Sequence, residues 1–412
     1  MHKSQTETSP DFAQNAAHFQ PANRRFRPML LGMTLCGLFA CGQGADRADP
    51  ASPPDETDAQ ATAQTSAALL RSRPPILPPT QKLSELSTIT PSLCSSVVMD
   101  GNTAVFNDTY RFRAVIMTYS GGRWQTQATV TPTLPGYTPG FPYCFSMALH
   151  GDTLVLGHHI MYTPSGSYWA PQGSVFVFRR SGTTWTQQQA LIGFGAEGLG
   201  IRVAVSDDLL VAVTASGDYL RTYRFSGGMW TLLPAGGVAL RARPSEMAFS
   251  GKRLAIADSN DTARVYETDG TRWALVEDLA GPRGYWSVST QLQADQLAVM
   301  WKGPGRPTPP HTFVQMYQAV VGRFVAGQRI EHPEYPDQDH LGYRLTMDRD
   351  WLVTHDSEKG LSFVYRQSAG SWTDSWTIVS GRAHMAVRGS QVLLGPLRYT
   401  STAVPSEAFT LR

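Results

Sequence analysis

From residue 80 to the C-terminus, apolar and polar positions alternate with a period of two, and the alternation itself recurs as a larger unit. An apolar run leads into a tight turn, second and third runs follow, and a second tight turn precedes an aromatic residue. The first turn falls at Asp100-Gly101, Gly151-Asp152, Asp207-Asp208, Gly251-Lys252, Ala294-Asp295, Arg349-Asp350 and Gly389-Ser390. Apolar runs such as Leu154-Val155-Leu156, Leu254-Ala255-Ile256 and Val392-Leu393-Leu394 follow. Period-two alternation around residues that tolerate positive φ predicts β-hairpins.

The second half of the unit is equally regular. Strands such as Val175–Phe178, Ala263–Tyr266 and Ser362–Tyr365 lead into turns that end in Trp124, Trp185, Trp230, Trp273, Phe324 and Trp372. Each unit therefore has four strands, and the first turns recur every 40 to 56 residues. Four antiparallel strands at that period predict an all-β, seven-bladed β-propeller, and no window sustains the 3.6 period of a stacked helical array. Seven first turns meet only six aromatic turns, because the chain ends on a third strand at Ala408–Leu411. Thr80–Leu86 resembles Thr186–Leu191, so an N-terminal strand is expected to complete the last blade and close the ring, removing exposed sheet edges. The recurrent Trp residues are expected to fill the space between adjacent blades.

Composition adds an address. The chain has 412 residues, only 17% of them charged, with 37 Gly, 28 Pro and 10 Trp, which fits an extracytoplasmic β protein. Arg24, Arg25 and Arg27 precede an apolar stretch, Pro28 to Ala40, that is too short to span a bilayer. It ends in Leu38-Phe39-Ala40-Cys41-Gly42, which resembles a bacterial lipoprotein lipobox. That resemblance implies a signal peptide over residues 1–41, lipidation of Cys41, and a mature protein anchored in the cell envelope. Gly42 after the Cys resembles lipoproteins sorted to an outer membrane. An ordinary secretory signal is the alternative. Residues 42–79, rich in Ala, Asp, Pro, Ser and Thr without aromatics, predict a disordered tether, leaving 80–412 as the folded domain. The first 41 residues carry four Lys/Arg and two Asp/Glu, so 31 of each sign remain. That balance gives no electrostatic case for nucleic acid, and the membrane is expected only through the lipid.

Within the repeats, Gly173–Gln188 looks like a bacterial FG-GAP, integrin-α-like propeller repeat. Leu199–Asp208 and Asp339–Leu345 match its other half. The resemblance implies the propeller fold. Calcium-binding members carry an Asp-x-Asp-x-Asp-Gly loop, which this chain lacks, so no cofactor is expected.

Candidate chemistry is sparse. Gly193-Phe-Gly195-Ala-Glu-Gly198 matches a dinucleotide fingerprint, but a strand rather than a helix should follow it, which removes the phosphate-binding helix N-terminus. His332, Glu334, Asp337, Asp339 and His340 are a loop cluster with metal-binding residue types, and His158-His159 is a second, weaker pair. Cys94 and Cys144 each lie seven residues before the first-turn Gly of their blades, so neighbouring innermost strands could place them within disulfide reach; two free thiols are the alternative. The longest aromatic insertions, Leu134–Tyr143, His158–Gln172 and Lys302–His311, belong to loop types that share one face of a propeller. They carry Tyr137, Phe141, Tyr143, Tyr162, Tyr168 and Trp169, the candidate partner-binding rim. The expected role is non-catalytic binding or scaffolding of an envelope protein or glycan. The alternatives are a propeller hydrolase or lyase acting on polysaccharide and a purely structural component. Clustered acids, Arg and His at the axis would favour the enzyme, and a flat aromatic rim would favour binding.

Overall fold

The computed structural model describes residues 74–89, 96–136, 138–139, 146–162, 172–258, 260–304, 312–331, 342, 344–356, 360–379, 384–395 and 406–411. Ser72–Arg412 form one compact unit. Apart from one two-stranded ribbon, its strands assemble into seven small antiparallel sheets, six of them built from two successive hairpins. Blade 1 comprises Val97–Asp100, Thr103–Asp108, Arg113–Ser120 and Arg123–Val130. Blade 2 comprises Ser146–His150, Thr153–His158, Ser174–Ser181 and Thr184–Ile192. Blades 3 to 6 begin at Arg202, Glu246, Trp286 and Arg344. Blade 7 consists of His384–Arg388, Gln391–Gly395 and Glu407–Thr410, completed by Gln81–Lys82. Each innermost strand lies against the innermost strands of both neighbouring blades, and the last packs on the first. The chain is a closed, seven-bladed β-propeller.

The first turns lie where the alternation places them, for a backbone reason. Their leading residues, Gly101, Gly151, Asp207, Gly251, Ala294, Arg349 and Gly389, all have φ between 48° and 57°. Left-handed turns of this kind match the right-handed twist of the flanking strands, and Gly adopts them without steric cost. In every blade the second turn residue also accepts a hydrogen bond from the third strand, as from Tyr119 N–H to Asn102 O and from Leu411 N–H to Ser390 O.

Seven apolar clusters fill the spaces between neighbouring blades. The aromatic residues after the second turns sit in them. Trp124 packs with blades 7 and 1, Trp185 with blades 1 and 2, Trp230 with blades 2 and 3, Phe324 with blades 4 and 5, and Trp372 with blades 5 and 6. Trp273 lies against the cluster between blades 3 and 4.

Closure occurs as expected, but with a shorter strand. Gln81 pairs with Ala408 and Lys82 with Glu407, and Thr80 and Leu83 donate to the carbonyls of Ala408 and Ser406. After Lys82 the chain turns into a 3₁₀ helix, Ser84–Thr88, rather than continuing extended to Leu86. The three-residue spacing of Leu83, Leu86 and Ile89 matches a 3₁₀ turn and buries all three between blades 7 and 1. Just upstream, Leu77 donates to Thr377 O and Thr377 donates to Pro75 O, a short parallel contact on the outer strand of blade 6. The N-terminal segment thus clasps both blades that flank the join.

Candidate functional site

The innermost strands hold the site, and their residues follow one rule. Counting back from the first turn, the last strand residue, the one two before it and the one four before it share a side. The residues between them, such as Val203 and Val205 or Met385 and Val387, are apolar in every blade but the fifth, where Thr290 is one of the two, and the apolar ones pack against the preceding blade. The other side faces the following blade and the axis. Its middle level is mostly small, including Ala148, Ala204, Ala248 and Ala386, because the blades converge there. Its two end levels are polar in all seven blades.

At the hairpin end these polar residues join the ring together. Asp100 accepts from Gly151 N–H at 2.6 Å, Ser250 from Ala294 N–H at 3.1 Å, Gln293 from Arg349 N–H, and Asp348 from Gly389 N–H. Arg388 bridges Asp100 at 2.7 Å and Asp348 at 2.9 Å. His150 lies 3.2 Å from Asp207. Each group is used by the next blade, so this level is a structural belt.

The other end, where the loops between blades converge, is composed of Ser96, Ser146, Arg202, Glu246, Ser289, Arg344 and His384. Ser146 donates to Gly200 O at 2.8 Å, and Arg202 reaches Ser245 O at 3.2 Å through Nε and Ile201 O at 3.0 Å. Glu246 accepts from Ser289 Oγ and from Gln291 at 3.1 Å. Arg202 and Arg344 both follow a glycine by two residues. Gly342, at φ 75°, sits so tightly beneath the second strand that a Cβ would fall 1.5 Å from His355 O. Only glycine lets the loop descend there and deliver Arg344 to the axis. Arg344 is exposed at the loop end, where its protein surroundings act to lower its pKa and Glu246 acts in the opposite sense.

The electrostatics of this mouth are net positive. Burial pushes the Glu246 carboxyl above its usual range, while Ser289, Arg344 and Arg202 act in the opposite sense. Burial and then the Arg344 charge bring His355 down to about 4, so its ring is neutral at pH 7. His159 is lowered by burial, then by Arg243 and Arg202.

The mouth was missed in sequence because its successive members lie 40 to 56 residues apart. The available signal is a polar residue four positions before the last residue of each innermost strand. Of the sequence-derived candidates, Cys41, Cys94, Cys144, Tyr137, Phe141, Tyr143, Tyr168, Trp169 and the His332–His340 cluster lie outside the described residues. Tyr162 lies in a strand, Met161–Tyr162, paired antiparallel with Thr138–Pro139, with Thr138 opposite Tyr162. This ribbon joins the loop after blade 1 to the loop within blade 2. His158 is fully buried, edge-on to Phe112 at 5.0 Å, and burial takes it down to about 3. Among the described residues no group of three or more His, Cys, Asp or Glu has the arrangement of a metal site. Gly193–Gly198 is an interblade loop that enters the strand Arg202–Ser206, with Glu197 paired to Arg221.

No family model matches the chain, and no curated protein matches its sequence. Similar solved structures share the propeller architecture. Hydrazine synthase of Kuenenia stuttgartiensis has a TM-score of 0.54 at 9% identity, over 78% of this chain and 96% of that one. A chain in the structure of a mitotic checkpoint complex has a TM-score of 0.54 at 10% identity, over 91% of this chain and 99% of that one. The periplasmic gluconolactonase of Pseudomonas aeruginosa scores 0.48 at 14% identity, over 71% and 86% of the two chains. At these identities the likeness is one of fold.

Proposed function

We propose that the protein is an envelope lipoprotein, anchored through Cys41, whose FG-GAP-like propeller binds a protein or glycan partner on its interblade-loop face without transforming it. The observation that carries this reading is the division of labour between the two ends of the axis. The hairpin end is consumed by ties between blades. The loop end keeps enclosed cations open to the axis, and the Thr138–Pro139 and Met161–Tyr162 ribbon draws two aromatic-rich loops together on that same face. Loops on a rigid scaffold are the usual seat of recognition. In this reading Tyr137, Phe141, Tyr143, Tyr162, Tyr168 and Trp169 form the rim around the mouth.

A polysaccharide hydrolase or lyase is the second reading, favoured by one observation: Arg344 and Arg202 lie close enough to Glu246 to act on its charge, and a carboxyl raised by burial suits a general acid. Glu246 is the one carboxylate in that ring of seven, whereas glycoside hydrolysis ordinarily uses a pair. A binding screen of the full-length protein against envelope glycans and proteins, with product analysis of every glycan bound, separates the two. Saturable binding with no new reducing ends is expected. Replacing Tyr162, Tyr168 and Trp169 by Ala should abolish it while leaving the melting temperature nearly unchanged. Glycan cleavage that Glu246→Gln abolishes would establish the enzyme instead.

A further inference from the structure

Arg344 and Arg202 differ from the other enclosed arginines. Arg113, Arg221, Arg264 and Arg388 each meet a carboxylate at ion-pair distance. Arg344 has no hydrogen-bond or ion-pair partner among the described residues, and Arg202 uses its donors on two backbone carbonyls. The acid beside them does not fill the gap, because Glu246 is held by Ser289 and Gln291 from the next blade. Arg243 adds a third positive charge, close enough to act on Arg202. Arg202 and Arg344, from blades 3 and 6, thus lie near enough to act on each other's charge, and low-dielectric walls strengthen their attraction for an anion.

Glu246 decides which anion fits. Glu246 offers oxygen acceptors beside the two guanidinium groups, which sulfate, having no hydroxyl donor, cannot use and which a carboxylate ligand that also carries hydroxyl groups can. Its carboxylate meets the planar fork of Arg344, for which paired N–H···O bonds are the natural geometry, and the Nη2 of Arg202, whose Nε and Nη1 already donate to Ser245 O and Ile201 O. Its hydroxyl groups donate to Glu246 and accept from the second amide hydrogen of Gln291. We propose that the loop-end mouth binds the carboxylate of an acidic sugar, a uronic acid residue of a glycan, between Arg344 and Arg202, with Glu246 reading the neighbouring hydroxyls. This rests on the binding reading above and names its ligand class.

The test is calorimetric titration of the full-length protein with trigalacturonate and with its methyl ester, which keeps every ring hydroxyl and loses the charges. The acid should bind saturably, and the ester at least about tenfold more weakly, the loss expected for one charged hydrogen-bonded contact. Arg344→Gln should weaken the acid by a similar factor, and Arg344→Lys by less, with melting temperatures measured alongside. Equal affinity for acid and ester, or full affinity in a folded Arg344→Gln protein, would overturn the proposal. So would sulfate competing as tightly as the acid. Binding of a neutral glycan or a protein with no binding of the acid would overturn this inference yet leave the binding reading standing. Absence of any partner in the wider screen would remove that reading too.

Discussion

Single residues near the loop face show how charge is handled when it is not meant for a ligand. Asp258 directly follows the second strand of blade 4, almost without solvent exposure, and pairs with Arg264, which is equally buried. Asn260 N–H donates to the same carboxylate, and Ser287 Oγ accepts from Asp258 N–H while donating to Thr262 O. The pair pins the loop between the second and third strands. Removing one buried partner leaves the other uncompensated, so Asp258→Ala should cost about 3–5 kcal/mol in urea denaturation. The double change Asp258→Leu with Arg264→Met should recover most of that loss. If the single change costs no more than a surface substitution, the pair is hydrated rather than buried. Asp108 and Asp356 occupy the equivalent position in blades 1 and 6, both buried, so the acid at the end of the second strand belongs to the repeat.

At the scale of strands, neighbouring blades are joined by side chains that imitate a backbone partner. Gln189, on the outer strand of blade 2, donates to Trp230 O at 2.9 Å and accepts from Trp230 N–H at 2.8 Å in blade 3. Gln81 treats Trp124 identically, at 2.8 Å in both directions, and Gln328 does so with Trp372. Gln189 and Gln328 each stand four residues after their own blade's aromatic, Trp185 and Phe324. In blade 4 that position is Glu277, which can only accept, and its contact with Phe324 N–H lengthens to 3.4 Å. Gln189→Ala should cost about 1–2 kcal/mol, since two hydrogen bonds are lost and their backbone partners stay behind. Gln188→Ala, next to it, should cost less than about 0.5 kcal/mol, because its one bond to Gly228 O is exposed. Comparable losses in the two variants would show that the clasp adds nothing beyond an ordinary surface contact.

How much of this could be read from the sequence depends on the range over which each feature is written. The hairpin turns and the aromatics after them were legible because alternation and turn chemistry are local. The blade count and the closing strand followed because both are repeats of that local unit. The 3₁₀ helix after Lys82 was not anticipated, since Leu83 and Leu86 fit an extended strand as readily until the space between blades 7 and 1 is known. The axial mouth was illegible for a different reason. Arg202, Glu246 and Arg344 come from three blades, and no spacing along the chain announces that they converge. Aligning all seven innermost strands on their first turns exposes the polar ring, but that Arg344 meets no carboxylate at ion-pair distance among the described residues is a property of the assembled ring.

The whole molecule stands or falls on ring closure and on which face is left free. Deleting Thr80–Ser87 removes the completing strand together with buried Leu83 and Leu86, and should cost at least about 3 kcal/mol, with aggregation through the freed edge of blade 7. Deleting Gln43–Ser66 should change stability little, and equal behaviour of the two deletions would contradict the closure. The most direct measurement of the account's functional claim is hydrogen–deuterium exchange of the full-length protein with and without the partner that the binding screen identifies. Protection is expected at the loop end: residues 131–145, 158–172 and the starts of the innermost strands at Arg202, Glu246, Arg344 and His384. The hairpin tips at Gly101, Gly151, Asp207 and Gly389 should exchange as before. Protection at those tips, with none at the loop end, would contradict the account.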